Sequence, residues 1–369
     1  MTGLDPTRST ANRLLSRRVL LQSGAIVGTA VFSGTAVAIA AALHRPAPHG
    51  SPDKFRITQQ ALFAKYGTPV TERFLPLGRA LPPLRVHVLE AGAGEPVLML
   101  HGGNGVAAGL EPLLHEVQQR FHVVAPDRPG CGLSDMIDYR VATPTVASFR
   151  AHCVAFVTAL LDELDLTRVS IVANSMGGYW ALVFALAHAE RVRRLVLVGE
   201  PAASAARPAF MRRLLGIPGI NSLLYATVLR PSAESIRQSY RRMLVAHVER
   251  VSREMLECSY AAAVLPGAQL AWLSMLERVT TLWGPSELTY ALRPELAHLA
   301  VPTLFVWGDR DTFGPPSLGE EMSRIMPNAR AEVVVDAGHL VWLDQPERCA
   351  RLVTEFLAVP VDAEPSKAR

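Results

Sequence analysis

The sequence predicts an α/β protein built on a mostly parallel eight-stranded sheet with an inserted helical cap. Three observations lead there. Short apolar runs alternate with longer helical patterns from about residue 70, which is the rhythm of a sheet covered on both faces. One interval of about a hundred residues breaks that rhythm and holds no persuasive strand. The composition, 49% hydrophobic and 19% charged with no long single-sign block, is that of a folded chain. A length of 369 residues suits two units, or one large domain with an insertion.

The first 50 residues read as a leader and linker. Arg8, Arg13, Arg17 and Arg18 against Asp5 give residues 1–18 a charge of +3 out of the chain's +4. The rest is nearly neutral, so nucleic-acid binding has no electrostatic warrant. Residues 19–43 are 25 positions without a charge, and a bilayer core takes about 20 helical residues. The preceding Ser16-Arg17-Arg18-Val19-Leu20-Leu21 resembles a bacterial twin-arginine export signal. Ala36-Val37-Ala38 and Ala38-Ile39-Ala40 are A-x-A-like cleavage sites. Export and membrane anchoring both follow from this pattern, and both put the body of the protein outside the cytoplasmic membrane; whether the leader is removed stays open. Pro46, Pro48, Gly50 and Pro52 then read as a short helix-free linker.

Strands are expected at 71–76, 84–90, 96–101, 122–126, 168–174, 194–199, 303–308 and 331–335, with the clearest helices at 146–164 and 177–188. The early strands lack intervening helices and should form an antiparallel edge. A core in two parts follows, 51–201 and 301–360, with a helical cap at 202–300 and a tail at 361–369. Four cysteines (Cys131, Cys153, Cys258, Cys349) show neither C-x-x-C pairing nor metal-ligand spacing, and no metal or organic cofactor is implied. A small-molecule substrate is the expected partner, and the sequence leaves the oligomeric state open.

The strongest local signal is Val172-Ala173-Asn174-Ser175-Met176-Gly177-Gly178, where an apolar strand gives way to a helix. A serine on such a turn, flanked by small residues, is what a nucleophile elbow requires; an ordinary N-cap serine is the plainer alternative. Gly177 fits the last glycine of G-x-S-x-G, and Ala173 replaces the first. His101-Gly102-Gly103-Asn104-Gly105 follows another apolar run, a turn able to point the N–H of Gly103, or of Asn104, at a developing oxyanion beside the N–H of Met176. His101 reads as a brace for that loop. Downstream, Trp307-Gly308-Asp309-Arg310-Asp311 and Ala337-Gly338-His339 each close an expected strand, so Asp311 and His339 would meet at neighbouring strand ends. Asp309 and Glu200 are competing acids.

With Asp127-Arg128-Pro129-Gly130-Cys131-Gly132-Leu133-Ser134 and the closing Gln345-Pro346-Glu347, the chain from about residue 71 to 357 resembles a capped member of the α/β-hydrolase fold superfamily. The resemblance implies Ser175 as nucleophile, His339 as base, Asp311 as orienting acid and acyl transfer as the reaction. It also implies backbone N–H groups of Gly103 and Met176 as the oxyanion hole. Serine at the elbow disfavours epoxide opening and halide displacement, which in this superfamily use aspartate there. The elbow is similar to that of hydrolases cleaving carbon–carbon bonds of ring-fission products. Gly103-Asn104-Gly105-Val106, however, stands where that group carries a proline-containing G-x-G-P-G run. A small or medium apolar ester is therefore the first expected substrate and a carbon–carbon bond the second. A non-catalytic ligand-binding protein of the same fold is the third reading.

Overall fold

The computed structural model describes residues 50–78, 83–202, 213–227, 229–280 and 287–359, without the side chains of 287–291. The chain divides into two compact units, residues 48–222 with 231–369 and residues 1–47 with 223–230. In the second, only parts of 223–230 are described, the end of a helix and a turn. Among the described residues no helix is long and apolar enough to cross a membrane. The leader at 19–43 and the tail at 361–369 lie outside the described residues.

The larger unit contains an eight-stranded sheet. Its strands are β1 (Thr71–Leu77), β2 (Leu84–Ala91), β3 (Pro96–Leu100), β4 (His122–Pro126), β5 (Val169–Asn174), β6 (Val192–Val198), β7 (Thr303–Gly308) and β8 (Ala329–Val334). They lie in the order β1-β2-β4-β3-β5-β6-β7-β8. β1 and β2, and β2 and β4, pair antiparallel, while every other neighbouring pair is parallel. All eight expected strands are present, with an antiparallel edge. β6 and β8 each begin two residues earlier than expected, because Val192 already pairs with Val169 of β5 and Ala329 with Thr303 of β7.

Period-two alternation divides the central strands between two cores. Leu98, Leu100, Ile171, Ala173, Leu195, Leu197, Phe305 and Trp307 face one layer, which contains helices α2 (Val146–Glu163) and α3 (Met176–Ala187). Val97, Met99, Val172, Val196, Val198, Leu304 and Val306 face the opposite layer. Both faces being covered explains why these strands read as unbroken apolar runs.

One helix lies where the sequence pattern predicts a linker. Helix α1 (Pro52–Tyr66) occupies the stretch where Pro52 was expected to belong to a linker. Pro52 is instead its first residue, where a missing N–H costs no hydrogen bond. Ser51 caps the helix by accepting the Lys54 N–H at 3.3 Å. Between β6 and β7 the described residues form helices and turns and no strand. They include a segment 233–250 and helices α4 (Arg253–Ala263), α5 (Ala268–Val279) and α6 (Glu287–Leu296). α1 is fastened to this interval by the Gly50 N–H to Val264 O bond of 2.9 Å and by Lys65 with Glu254 at 3.6 Å. Helices α7 (Pro316–Ile325) and α8 (Pro346–Ala358) complete the layers. All four cysteines are free thiols.

The loop after β3 buries an acid. Burial pushes the Glu111 carboxyl up to about 7. One oxygen accepts the His115 N–H at 3.3 Å, and the other has no hydrogen-bond partner among the described residues. Because the folded protein holds this proton more tightly than the unfolded chain, stability falls as pH climbs from about 4.5 to 7 and the cost persists above. At 1.36 kcal/mol per pKa unit that cost is about 3 kcal/mol. Glu111→Gln should therefore stabilise the protein at pH 8 and change little at pH 4.5. Urea unfolding at the two pH values measures this, and equal effects at both would refute it.

Candidate active site

The loops leaving β3, β5, β6, β7 and β8 converge at the carboxyl end of the parallel sheet, the place where open α/β sheets host ligands. Ser175 stands between β5 and α3 with φ 51° and ψ −122°, a backbone that costs a non-glycine residue about 1–3 kcal/mol. This is the strained turn of an elbow, and the serine side chain caps no helical N–H. Residues 169–174 and 176–185 are buried, and Ser175 alone among them is part-exposed. Gly177 is dictated by close approach, since a Cβ there would lie 2.4 Å from Leu100 O and 2.5 Å from His101 O.

Asp311 and His339, on the loops after β7 and β8, are brought together. The His339 Nδ1 and Asp311 Oδ2 atoms are 2.8 Å apart, with both residues buried. Two backbone donors hold the carboxylate, Phe313 N–H on Oδ1 at 2.8 Å and Glu200 N–H on Oδ2 at 2.9 Å. Burial alone would raise the Asp311 pKa; the imidazole and these donors outweigh it and keep the carboxyl below its ordinary value. The Phe313 ring stacks on the imidazole with centroids 4.2 Å apart.

The competing acids are placed elsewhere. Asp309 accepts the Ala337 N–H at 3.1 Å, and the Glu200 side chain accepts the Ala202 N–H at 3.0 Å. The elbow and the His339 loop meet across Gly199. A Cβ there would lie 3.1 Å from both Asn174 Nδ2 and His339 Nδ1.

The loop 101–105 closes the other side of Ser175. A Cβ on Gly102 would lie 3.1 Å from Ser175 Cβ. His101 is a brace, as expected: Nε2 accepts the Arg128 N–H at 2.9 Å, and Nδ1 lies 2.9 Å from Gly102 O. Burial, then the Arg128 charge, pushes its pKa down to about 3, so the ring stays neutral. Arg128, which the sequence pattern alone gives no role, is buried and lies over Trp180. Its guanidinium donates to His101 O at 3.0 Å, Gly102 O at 2.7 Å and Gly103 O at 2.8 Å. In a trans peptide the N–H points opposite to the C=O, so bonding Gly102 O and Gly103 O aims the N–H groups of Gly103 and Asn104 the other way. The Met176 N–H opens α3 and has no acceptor within that helix. Trp272 of α5 covers the loop, with ring atoms 3.0 Å from where a Gly103 Cβ would stand.

The chain and its fold are similar to known proteins. A family model described as alpha/beta hydrolase fold matches residues 95–346. A 2-hydroxy-6-oxononadienedioate/2-hydroxy-6-oxononatrienedioate hydrolase of Cupriavidus pinatubonensis is 31% identical over 305 residues, covering 78% of this chain and 95% of that protein. The solved 2-hydroxy-6-oxo-6-phenylhexa-2,4-dienoate hydrolase of a Rhodococcus strain superposes with a TM-score of 0.66 at 23% identity, over 79% of this chain and 100% of the other. A Bacillus subtilis carboxylesterase superposes with a TM-score of 0.63 at 19% identity, over 83% and 98%.

Proposed function

The chain belongs to the α/β hydrolase fold family, and from that premise we propose that it is a serine hydrolase cleaving a carbon–carbon bond in a ring-fission-type 2-hydroxy-6-oxo-dienoate. The observation that carries this is the 31% identity to a hydrolase of that type along 95% of its length. The elbow Asn174-Ser175-Met176-Gly177-Gly178 supports it. This reverses the order in which the sequence alone ranked its two substrates. Ester hydrolysis stands second, favoured by the proline-free segment Gly103-Asn104-Gly105-Val106.

In this proposal His339 takes the Ser175 proton and the alkoxide adds to the 6-oxo carbon. The N–H groups of Met176 and Gly103 hold the oxyanion, and Asp311 keeps the imidazole in its working tautomer. The adduct collapses by breaking the bond to the adjacent carbon. Its electron pair is delocalised onto the 2-keto group of the tautomerised substrate, and His339 returns the proton. Water then hydrolyses the acyl-Ser175 ester by the same groups. Residues 202–300 are the cap in this reading, with Trp272 lying over the oxyanion loop. The leader, read from sequence alone, carries the enzyme to or across the cytoplasmic membrane.

Purified protein should turn over a 2-hydroxy-6-oxo-dienoate, read by loss of its chromophore, with a kcat/KM at least about tenfold above that for any p-nitrophenyl ester, a gap of 1.4 kcal/mol in transition-state binding. The opposite ratio would return the ester reading to first place. At most one equivalent released from either substrate would indicate a binding protein.

A further inference from the structure

The residues on both sides of His339 are tied, directly or through Asp344, to a stretch of chain inserted between β6 and β7. Leu340 N–H donates to Leu244 O at 2.8 Å. Gly338 N–H donates to Asp344 Oδ2 at 2.8 Å, and that same oxygen accepts Ala246 N–H at 2.8 Å. The other oxygen, Oδ1, accepts His247 N–H at 2.9 Å. Thr312, next to Asp311, donates its hydroxyl to Met243 O at 2.9 Å. Segment 243–247 thus splints both loops that carry the Asp311–His339 pair. The fit admits no side chain at Gly338, whose Cβ would lie 2.8 Å from the backbone of Val245 and Ala246.

Asp344 is the hub of this arrangement. It is 3% exposed, and its carboxylate gathers three backbone N–H groups from two distant parts of the chain. Asp336 makes a second, more exposed clamp between the same parts, meeting His247 Nε2 at 2.7 Å and Arg250 at 3.0 Å. We propose that Asp344 is a positioning residue for His339: it fixes the Ala337–Gly338 peptide, immediately ahead of His339, against segment 243–247 and so keeps the imidazole in register with Asp311 and Ser175. The inference rests on the Ser175/His339/Asp311 reading above.

The test uses the full-length protein and a fluorophosphonate probe, whose reaction with Ser175 needs His339 but no knowledge of the substrate. In Asp344→Asn one acceptor becomes a donor facing an N–H, and in Asp344→Ala all three bonds are lost. The rate constant of labelling should fall about tenfold in the first and a hundredfold or more in the second. The downfield proton resonance of the hydrogen bond between His339 Nδ1 and Asp311 Oδ2, 2.8 Å long in the intact protein, should also broaden or vanish in both variants. Labelling at the wild-type rate with that resonance unchanged, whatever the loss in Tm, would make Asp344 a fastener only and overturn the inference. Should the Ala protein fail to fold, the Asn protein decides by the same two readouts. A wild-type protein that does not label at all would instead defeat the serine reading itself, and this inference with it.

Discussion

Ser175→Ala is expected to fold normally and lose turnover by a factor on the order of 10⁶, the typical cost of removing a triad nucleophile. The side chain makes no helix-capping bond and sits part-exposed at the mouth of the site, so its removal opens no cavity in either core. Alanine at φ 51° inherits the strain already present at that position. Melting temperature and steady-state rate should therefore separate cleanly. A mutant retaining more than about a thousandth of the wild-type rate would move the nucleophile elsewhere, since the oxyanion hole and binding alone leave only about 10³–10⁴ over water.

Asp311→Asn should cost roughly 10⁴ in kcat, because an amide at this position permits the wrong imidazole tautomer. Asn can accept from the Glu200 or the Phe313 N–H but cannot match the carboxylate in accepting both along with the imidazole N–H. Glu200→Gln should cost far less, since it is the Glu200 backbone N–H that reaches Asp311 while its side chain turns to Ala202. Comparing kcat for the two variants checks the assignment, and the reverse ranking would relocate the acid to the end of β6.

The parts of this site legible in sequence are those whose chemistry is local. Ser175 announced itself because a strand, a serine and small residues lie within a few positions, and the close approach of Gly177 to Leu100 O explains the requirement. Asp311 and His339 were placed by each closing an apolar strand, and adjacent parallel strands then bring them within 2.8 Å. Arg128 and Asp344 carry no such local sign. What defines them is contact with backbone far away in the chain, three carbonyls of residues 101–103 for one and the N–H groups of 246 and 247 for the other, which also holds the nearby Gly338 N–H. A backbone partner leaves no side-chain signature. Helix α1 was missed for a different reason: Pro52 punctuates a linker and opens a helix equally well, and only Ser51 before it and Gly67 after it mark the difference.

The proposed reaction runs through covalent catalysis by one serine, at the end of β5. Peptide mapping after fluorophosphonate treatment tests it most directly. The expected result is a single adduct per chain, on Ser175 within the tryptic peptide 169–191, absent from Ser175→Ala. An adduct on any other residue, or one that persists in the alanine variant, would contradict it.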